Sequence, residues 1–230
     1  MPGRSHAADG GIRLRDVSVR YGRRFALEGV SGEFPSGSLT AVVGANGAGK
    51  STLLAAIAGV VRLAGGAVEC PARQRLAYLP QLAAIDHDFP LTVAELILLG
   101  GWRECGAFRS PGKTLRTRAA AMAATVGLAD RLRRPVGAIS VGELQRALFA
   151  RLMLQDAAVI LLDEPFAPVD AETTVVLLDQ VMLWHREGRT VIAVLHDLAL
   201  VEAHFPATLV LARRCLAWGK TEAALAALAA

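Results

Sequence analysis

Residues 44–51 read Gly44-Ala45-Asn46-Gly47-Ala48-Gly49-Lys50-Ser51, and no other stretch of the chain constrains the fold as tightly. The pattern is G-x-x-x-x-G-K-[ST]. It follows a short apolar run, Leu39 to Val43, and precedes a Leu- and Ala-rich stretch, Ser51 to Val61. That order predicts a buried strand, a glycine-rich turn and a helix. The glycines let the backbone curl until several N–H groups face one anion, and the helix start adds its positive end. Lys50 can then reach the outer phosphates of a nucleotide, and the Ser51 hydroxyl can ligate Mg²⁺.

The rest of the chain supplies the sheet that such a loop needs. Val159 to Leu162 and Val191 to Leu195 are continuous apolar runs, as in strands covered on both faces. Ile12, Leu14, Val17 and Val19 alternate like a half-exposed strand that turns at Tyr21-Gly22. Leu76 to Leu79 reads as a strand that Pro80 stops. From about Gln81 to Leu154, helix follows helix: Pro90 to Gly101 with an N-terminal cap, residues 114–134, and Gly142 to Gln155. This stretch is read as an inserted helical subdomain over approximately 82–154, within a single domain of 1–230. Glu222 to Ala230 reads as a short helix.

Composition excludes several classes. With 53% hydrophobic and 20% charged residues the chain is not of the disordered type. Charges interrupt every apolar stretch before the roughly 18 to 20 residues that a membrane span needs. The 25 basic and 21 acidic residues leave a net charge of +4, and no nucleic-acid partner is expected from so mild an excess. The excess is local: Arg103, Arg109, Lys113, Arg116, Arg118, Arg131, Arg133 and Arg134 face only Glu104 and Asp130 in that stretch. Such a segment is either a solvated helical face or one lying close to acidic headgroups or an acidic partner. Cys70, Cys105 and Cys215 are too far apart for a metal-ligand pair, and the five histidines form no H-E-x-x-H pattern.

A second chemical element ends the run Val159-Ile160-Leu161-Leu162-Asp163-Glu164. Asp163 at a rigid strand end can face the Mg²⁺ through water. Glu164, one residue on, can orient an attacking water.

With these residues in place the sequence resembles the nucleotide-binding subunit of an ABC transporter, from about Ile12 to Gly219. The resemblance implies an α/β P-loop NTPase core with a mainly parallel sheet, an N-terminal antiparallel β part and the inserted helical subdomain. Residue by residue, it implies that Tyr21 stacks on adenine and that Gly44 to Thr52, including Thr52, is the Walker A loop. Gln81, in Tyr78-Leu79-Pro80-Gln81, matches the glutamine that reaches Mg²⁺ and water. Ile139-Ser140-Val141-Gly142-Glu143 matches the signature L-S-G-G-Q. Asp163 and Glu164 match Walker B, Ala167 to Asp170 the D-loop, and His196 the histidine that contacts the γ-phosphate. The implied cofactors are ATP and Mg²⁺. The implied partners are a second copy of the chain, with ATP between Lys50 of one and Ser140 of the other, and two transmembrane permease subunits. An extracytoplasmic metal-binding protein would feed the permeases, and the chain would sit on the cytoplasmic face of the membrane.

Two signature positions depart from the pattern. Val141 replaces a glycine, and Glu143 replaces the glutamine and places a negative charge near the expected phosphates. Pro168 in the D-loop is also unusual. Residues 85–100, with Asp86-His87-Asp88-Phe89-Pro90 before Leu91-Thr92-Val93, resemble the segment after Gln81 in the zinc, manganese and iron branch of ABC importers. There the segment lines a groove for a permease helix, although Val93 and Leu96 fit the subdomain's own core better. The expectation is an ATPase subunit for divalent metal import, with zinc favoured. The rivals are another ABC importer or an exporter, and a soluble ABC ATPase.

Overall fold

A computed structural model describes residues 10–82, 90–106 and 110–228. The chain divides into two compact units. One comprises residues 1–80, 158–165 and 182–230, the other residues 81–157 and 166–181.

The first unit holds two sheets. An antiparallel sheet has the order β2-β1-β4, from β1 (Ile12–Tyr21), β2 (Arg24–Phe34) and β4 (Gly65–Glu69). A six-stranded sheet has the order β5-β6-β7-β3-β8-β9. Its members are β3 (Leu39–Val43), β5 (Leu76–Leu79), β6 (Val159–Asp163), β7 (Thr190–Val194), β8 (Ala207–Ala212) and β9 (Arg214–Lys220). All its pairings are parallel except β8 with β9. Every residue of β3, β6 and β7 is buried, which is why these strands read as unbroken apolar runs.

The helix after the glycine-rich turn is α1 (Lys50–Ala58). It stops at Gly59, whose φ of 76° closes the helix with a left-handed residue. Its buried Leu53, Leu54 and Ile57 join Val42, Leu161, Ile192 and Leu209 of the large sheet and Leu14, Val17 and Leu27 of the small one in a single core. Phe34 and Trp218 cap that core with ring centroids 4.5 Å apart.

The second unit is helical: α2 (Val93–Leu98), α3 (Trp102–Cys105), α4 (Lys113–Thr125) and α5 (Val141–Gln155). The first part of α6 (Ala171–Arg186) also belongs to it. Thr92 and Glu95 form a reciprocal capping box at the start of α2. Val93 and Leu96 are buried, so they are core residues and not docking groups. His87 and Phe89 lie outside the described residues. The basic helix expected over 114–134 is shorter. It ends at Thr125, and Gly127, at φ 70°, turns the chain into a run of turns up to Pro135. The helices α7 (Leu198–His204) and α8 (Thr221–Ala226) complete the first unit. Among the described residues no helix is long and apolar enough to cross a membrane.

Candidate functional site

The strand order decides where the chemistry collects. β6, β7 and β3 are neighbours and run parallel, so the loops at their carboxyl ends open at one edge of the sheet. The register pairs Asp163 with Val194 and Val194 with Val42. Two backbone bonds continue it, Glu164 N–H to Val194 O (3.2 Å) and Leu195 N–H to Val42 O (3.2 Å). The glycine-rich turn, Asp163-Glu164 and His196 are therefore brought together by backbone pairing alone.

Only glycine fits two positions of the turn. A Cβ on Gly44 would stand 2.1 Å from Leu211 O, and one on Gly49 2.4 Å from Ala26 O. Asn46 and Gly47 at the apex are exposed, while Ala48 is buried. Lys50 folds back over the turn, its Nζ donating to Gly44 O (2.8 Å) and Ala45 O (3.0 Å). Burial lowers its pKa, against the opposing pull of Glu164 and Asp163.

Ser51 Oγ donates to Asp163 Oδ1 at 3.0 Å. Asp163 is 3% exposed, and burial above all pushes its carboxyl up to about 6, with Glu164 adding to the rise and the Ser51 bond opposing it. A hydroxyl and a carboxylate held side by side are hard oxygen donors of the kind Mg²⁺ prefers, and the buried carboxylate gains from a cation. These residues fit the ion.

Glu164 follows in a left-handed conformation, φ 53°, unusual for a residue with a side chain. The bend sends its carboxylate out beside His196, whose Nε2–H donates to Glu164 Oε1 at 2.7 Å. The pair is part-exposed, at 26% and 43% of the side chains, so water can reach it. Tyr21 stands at the β1–β2 turn, opposite Arg24 in the register and 56% exposed. The same hairpin carries Ala26, the residue whose carbonyl crowds Gly49. Thr52 continues α1, half-buried.

The remaining expected residues belong to the second unit. Gln81 opens it. Ser140 caps α5, accepting from Glu143 N–H at 3.1 Å, while Glu143 Oε2 accepts from Ser140 N–H at 2.8 Å. Glu143 Oε1 takes Arg131 Nε–H at 2.8 Å. The Ser140 N–H first, and then Arg131, hold the Glu143 pKa below the usual carboxylate range. The departure at 143 thus completes a capping box, S-x-x-E, that the sequence reading left out. Arg131 was seen there only as part of a basic segment, since no spacing rule ties it to Glu143. Val141 is 41% exposed. Asp170 accepts from Thr173 N–H (2.7 Å) and Thr173 Oγ1–H (3.1 Å) just ahead of α6, as a helix cap does. A Cβ on Gly142 would come within 3.6 Å of Asp170 Oδ2.

A model of the ABC transporter family matches residues 27–167. The zinc transport system ATP-binding protein TroB of Treponema pallidum is 37% identical over 90% of this chain and 80% of its own length. The manganese transport system ATP-binding protein MntB of Bacillus subtilis is 35% identical over 92% and 87%. The manganese transport system ATP-binding protein MntA of Synechocystis is 36% identical over 92% and 85%. In fold, the chain superimposes with a TM-score of 0.81 on a nucleotide-free ATP-binding cassette of an ABC transporter, at 22% identity and 96% coverage of both chains. The ATP-binding subunit of another ABC transporter gives 0.78, at 24% identity over 91% and 89%. The chain belongs to the ABC transporter family and is one of its ATP-binding, ATP-hydrolysing subunits.

Proposed function

We propose that this subunit hydrolyses ATP to drive a divalent metal ion, zinc or manganese, across a membrane through permease partners. The observation that carries the reading is the likeness to zinc and manganese transport proteins, at 35–37% identity over most of both chains. The zinc relative and the manganese relatives stand within two points of each other, so the preference for zinc gives way to the pair. The ion is cargo that this subunit need not touch.

The site supports one assignment of roles. The turn from Gly44 to Gly49 cradles the phosphates, and Lys50 exchanges its two carbonyl partners for phosphate oxygens. Ser51 and Asp163 would hold Mg²⁺, whose charge would offset that of the phosphates, and Gln81 is the glutamine that the family resemblance assigns to the ion. Glu164 accepts a proton from the attacking water, oriented by His196, and Tyr21 stacks on the base. Ser140, Gly142 and Asp170 act from a second copy of the chain, and the working form in this reading is a homodimer against two permease subunits at the membrane face. An extracytoplasmic metal-binding protein completes the system. An exporter shares the same ATPase site, and the import direction follows the resemblance of residues 85–100 to the importer branch.

Deletion of the gene, followed by growth under zinc chelation and separately under manganese limitation, tests the cargo. Impaired growth rescued by one of these ions identifies it. Normal growth and unchanged cell content of both metals would overturn the metal reading while leaving the ATPase intact.

A further inference from the structure

Glu143 poses an electrostatic problem. In the proposed working form, the N-terminal turn of α5 meets the γ-phosphate of an ATP on the other copy. A carboxylate in that turn cancels part of the helix's positive end and repels the phosphate. A glutamine there would serve the same capping box without the charge.

The structure answers with Arg131. Both oxygens of Glu143 are engaged, Oε2 by Ser140 N–H and Oε1 by Arg131 Nε–H. Glu143 is only 17% exposed and Arg131 32%, so the pair is shielded more than a surface ion pair. The backbone that presents Arg131 is itself fixed. Arg131 N–H donates to Leu128 O (3.0 Å), Arg134 N–H to Arg131 O (2.8 Å), and Ala94 N–H to Leu132 O (3.0 Å). Leu128 is fully buried. Asp130, 70% exposed, takes the far side of the guanidinium at Nη1 and leaves Nε to Glu143. Ser140 Oγ, meanwhile, accepts from Glu143 N–H, and the Ser140 side chain also bonds the Glu143 carboxylate.

We propose that Arg131 is the positioning residue of this signature: it pins the Glu143 carboxylate back onto the capping box and offsets its charge, so that the N-terminal turn of α5 can meet a phosphate. The inference rests on the reading that the Ser140 turn meets the nucleotide of a second copy. Arg131 itself touches no phosphate in this account.

The test compares the full chain with Arg131→Gln, Glu143→Gln, the double variant and Ser140→Ala. It reads ATP-driven self-association and steady-state turnover at low and high salt. Arg131→Gln should weaken ATP-driven association about tenfold at low salt, by less as salt screens the exposed charge. Adding Glu143→Gln should return association to within about twofold of the Glu143→Gln single variant, because the charge to be balanced is gone. A merely structural Arg131 would give a loss that salt does not change and Glu143→Gln does not repair, and that result overturns the proposal. So does an Arg131→Gln protein that associates like wild type while Ser140→Ala does not associate. If Ser140→Ala also associates like wild type, or if wild type itself fails to associate with ATP, the dimer reading falls and the role of Arg131 falls with it.

Discussion

The two helix starts proposed to carry this subunit's phosphate chemistry are finished in opposite ways. α1 begins behind Gly49, which is left-handed at φ 95° and offers no side-chain cap, and its first turn contains no acid. With no side chain capping it, that start is open to an anion. α5 begins at Ser140 with both sides of a capping box closed and Glu143 in its first turn. A helix start that needs no ligand folds as a finished element, and a start without a cap does so only with help from elsewhere. For α1 that help is the packing of Leu53, Leu54 and Ile57. The difference suggests a division of labour: the end of α1 holds nucleotide by itself, and the end of α5 adds to binding only when two copies close.

The largest expected effect lies on the α1 side. Glu164→Gln keeps the turn, Lys50 and the Ser51–Asp163 pair but removes the group proposed to take the water's proton. Hydrolysis should fall by about two orders of magnitude or more, with ATP still bound, as measured by phosphate release and nucleotide titration. Turnover within threefold of wild type would reassign the base. Next in size is Lys50→Ala. Loss of one charge-assisted contact, about 1.5 to 3 kcal/mol, should weaken ATP roughly 10- to 150-fold in equilibrium titration. ADP should lose less. Equal losses would place Lys50 away from the γ-phosphate.

On the α5 side the same kind of deletion should act on stability before affinity. Ser140→Ala removes the cap of a 15-residue helix and should cost about 1 kcal/mol in denaturant unfolding. No loss would mean that the box contributes nothing to folding. The smallest effect concerns pH. Because burial raises the Asp163 pKa from 3.8 to about 6, the folded state holds that proton when the unfolded state has released it. Stability from this group therefore falls as pH rises from about 4 to about 6, and the cost persists above that. Asp163→Asn should melt higher than wild type in nucleotide-free buffer at pH 7, with the gap closing toward pH 4. A constant gap would place the cause elsewhere.

The α1 half of this comparison was legible in the sequence because its signals are local. Gly44 to Ser51 is contiguous, and β3, β6 and β7, buried on both faces, show as apolar runs. The α5 half was legible only in outline. The resemblance located Ser140, Gly142 and Glu143, but Glu143 read as an uncompensated charge. What compensates it is Arg131, placed by a turn that starts at Gly127, inside a region expected to be continuous helix. β9 escaped for a related reason: it is part-exposed, and its apolar Leu216 and Trp218 give no clean run, whereas β8 has the buried run Leu209-Val210-Leu211 and was legible but not read. Asp170 was expected at the nucleotide, and its bonds to Thr173 show a cap as well, a role that spacing to Thr173 could have indicated.

The measurement that bears most directly on the division of labour is ATP affinity of the dilute, nucleotide-free chain, before any association, for wild type, Lys50→Ala and Ser140→Ala side by side. If α1 alone holds the nucleotide, Ser140→Ala should bind ATP within about twofold of wild type, while Lys50→Ala shows its roughly 10- to 150-fold loss. A Ser140→Ala protein that loses ATP as badly as Lys50→Ala would contradict the account, since the capped end of α5 would then be part of the primary binding site.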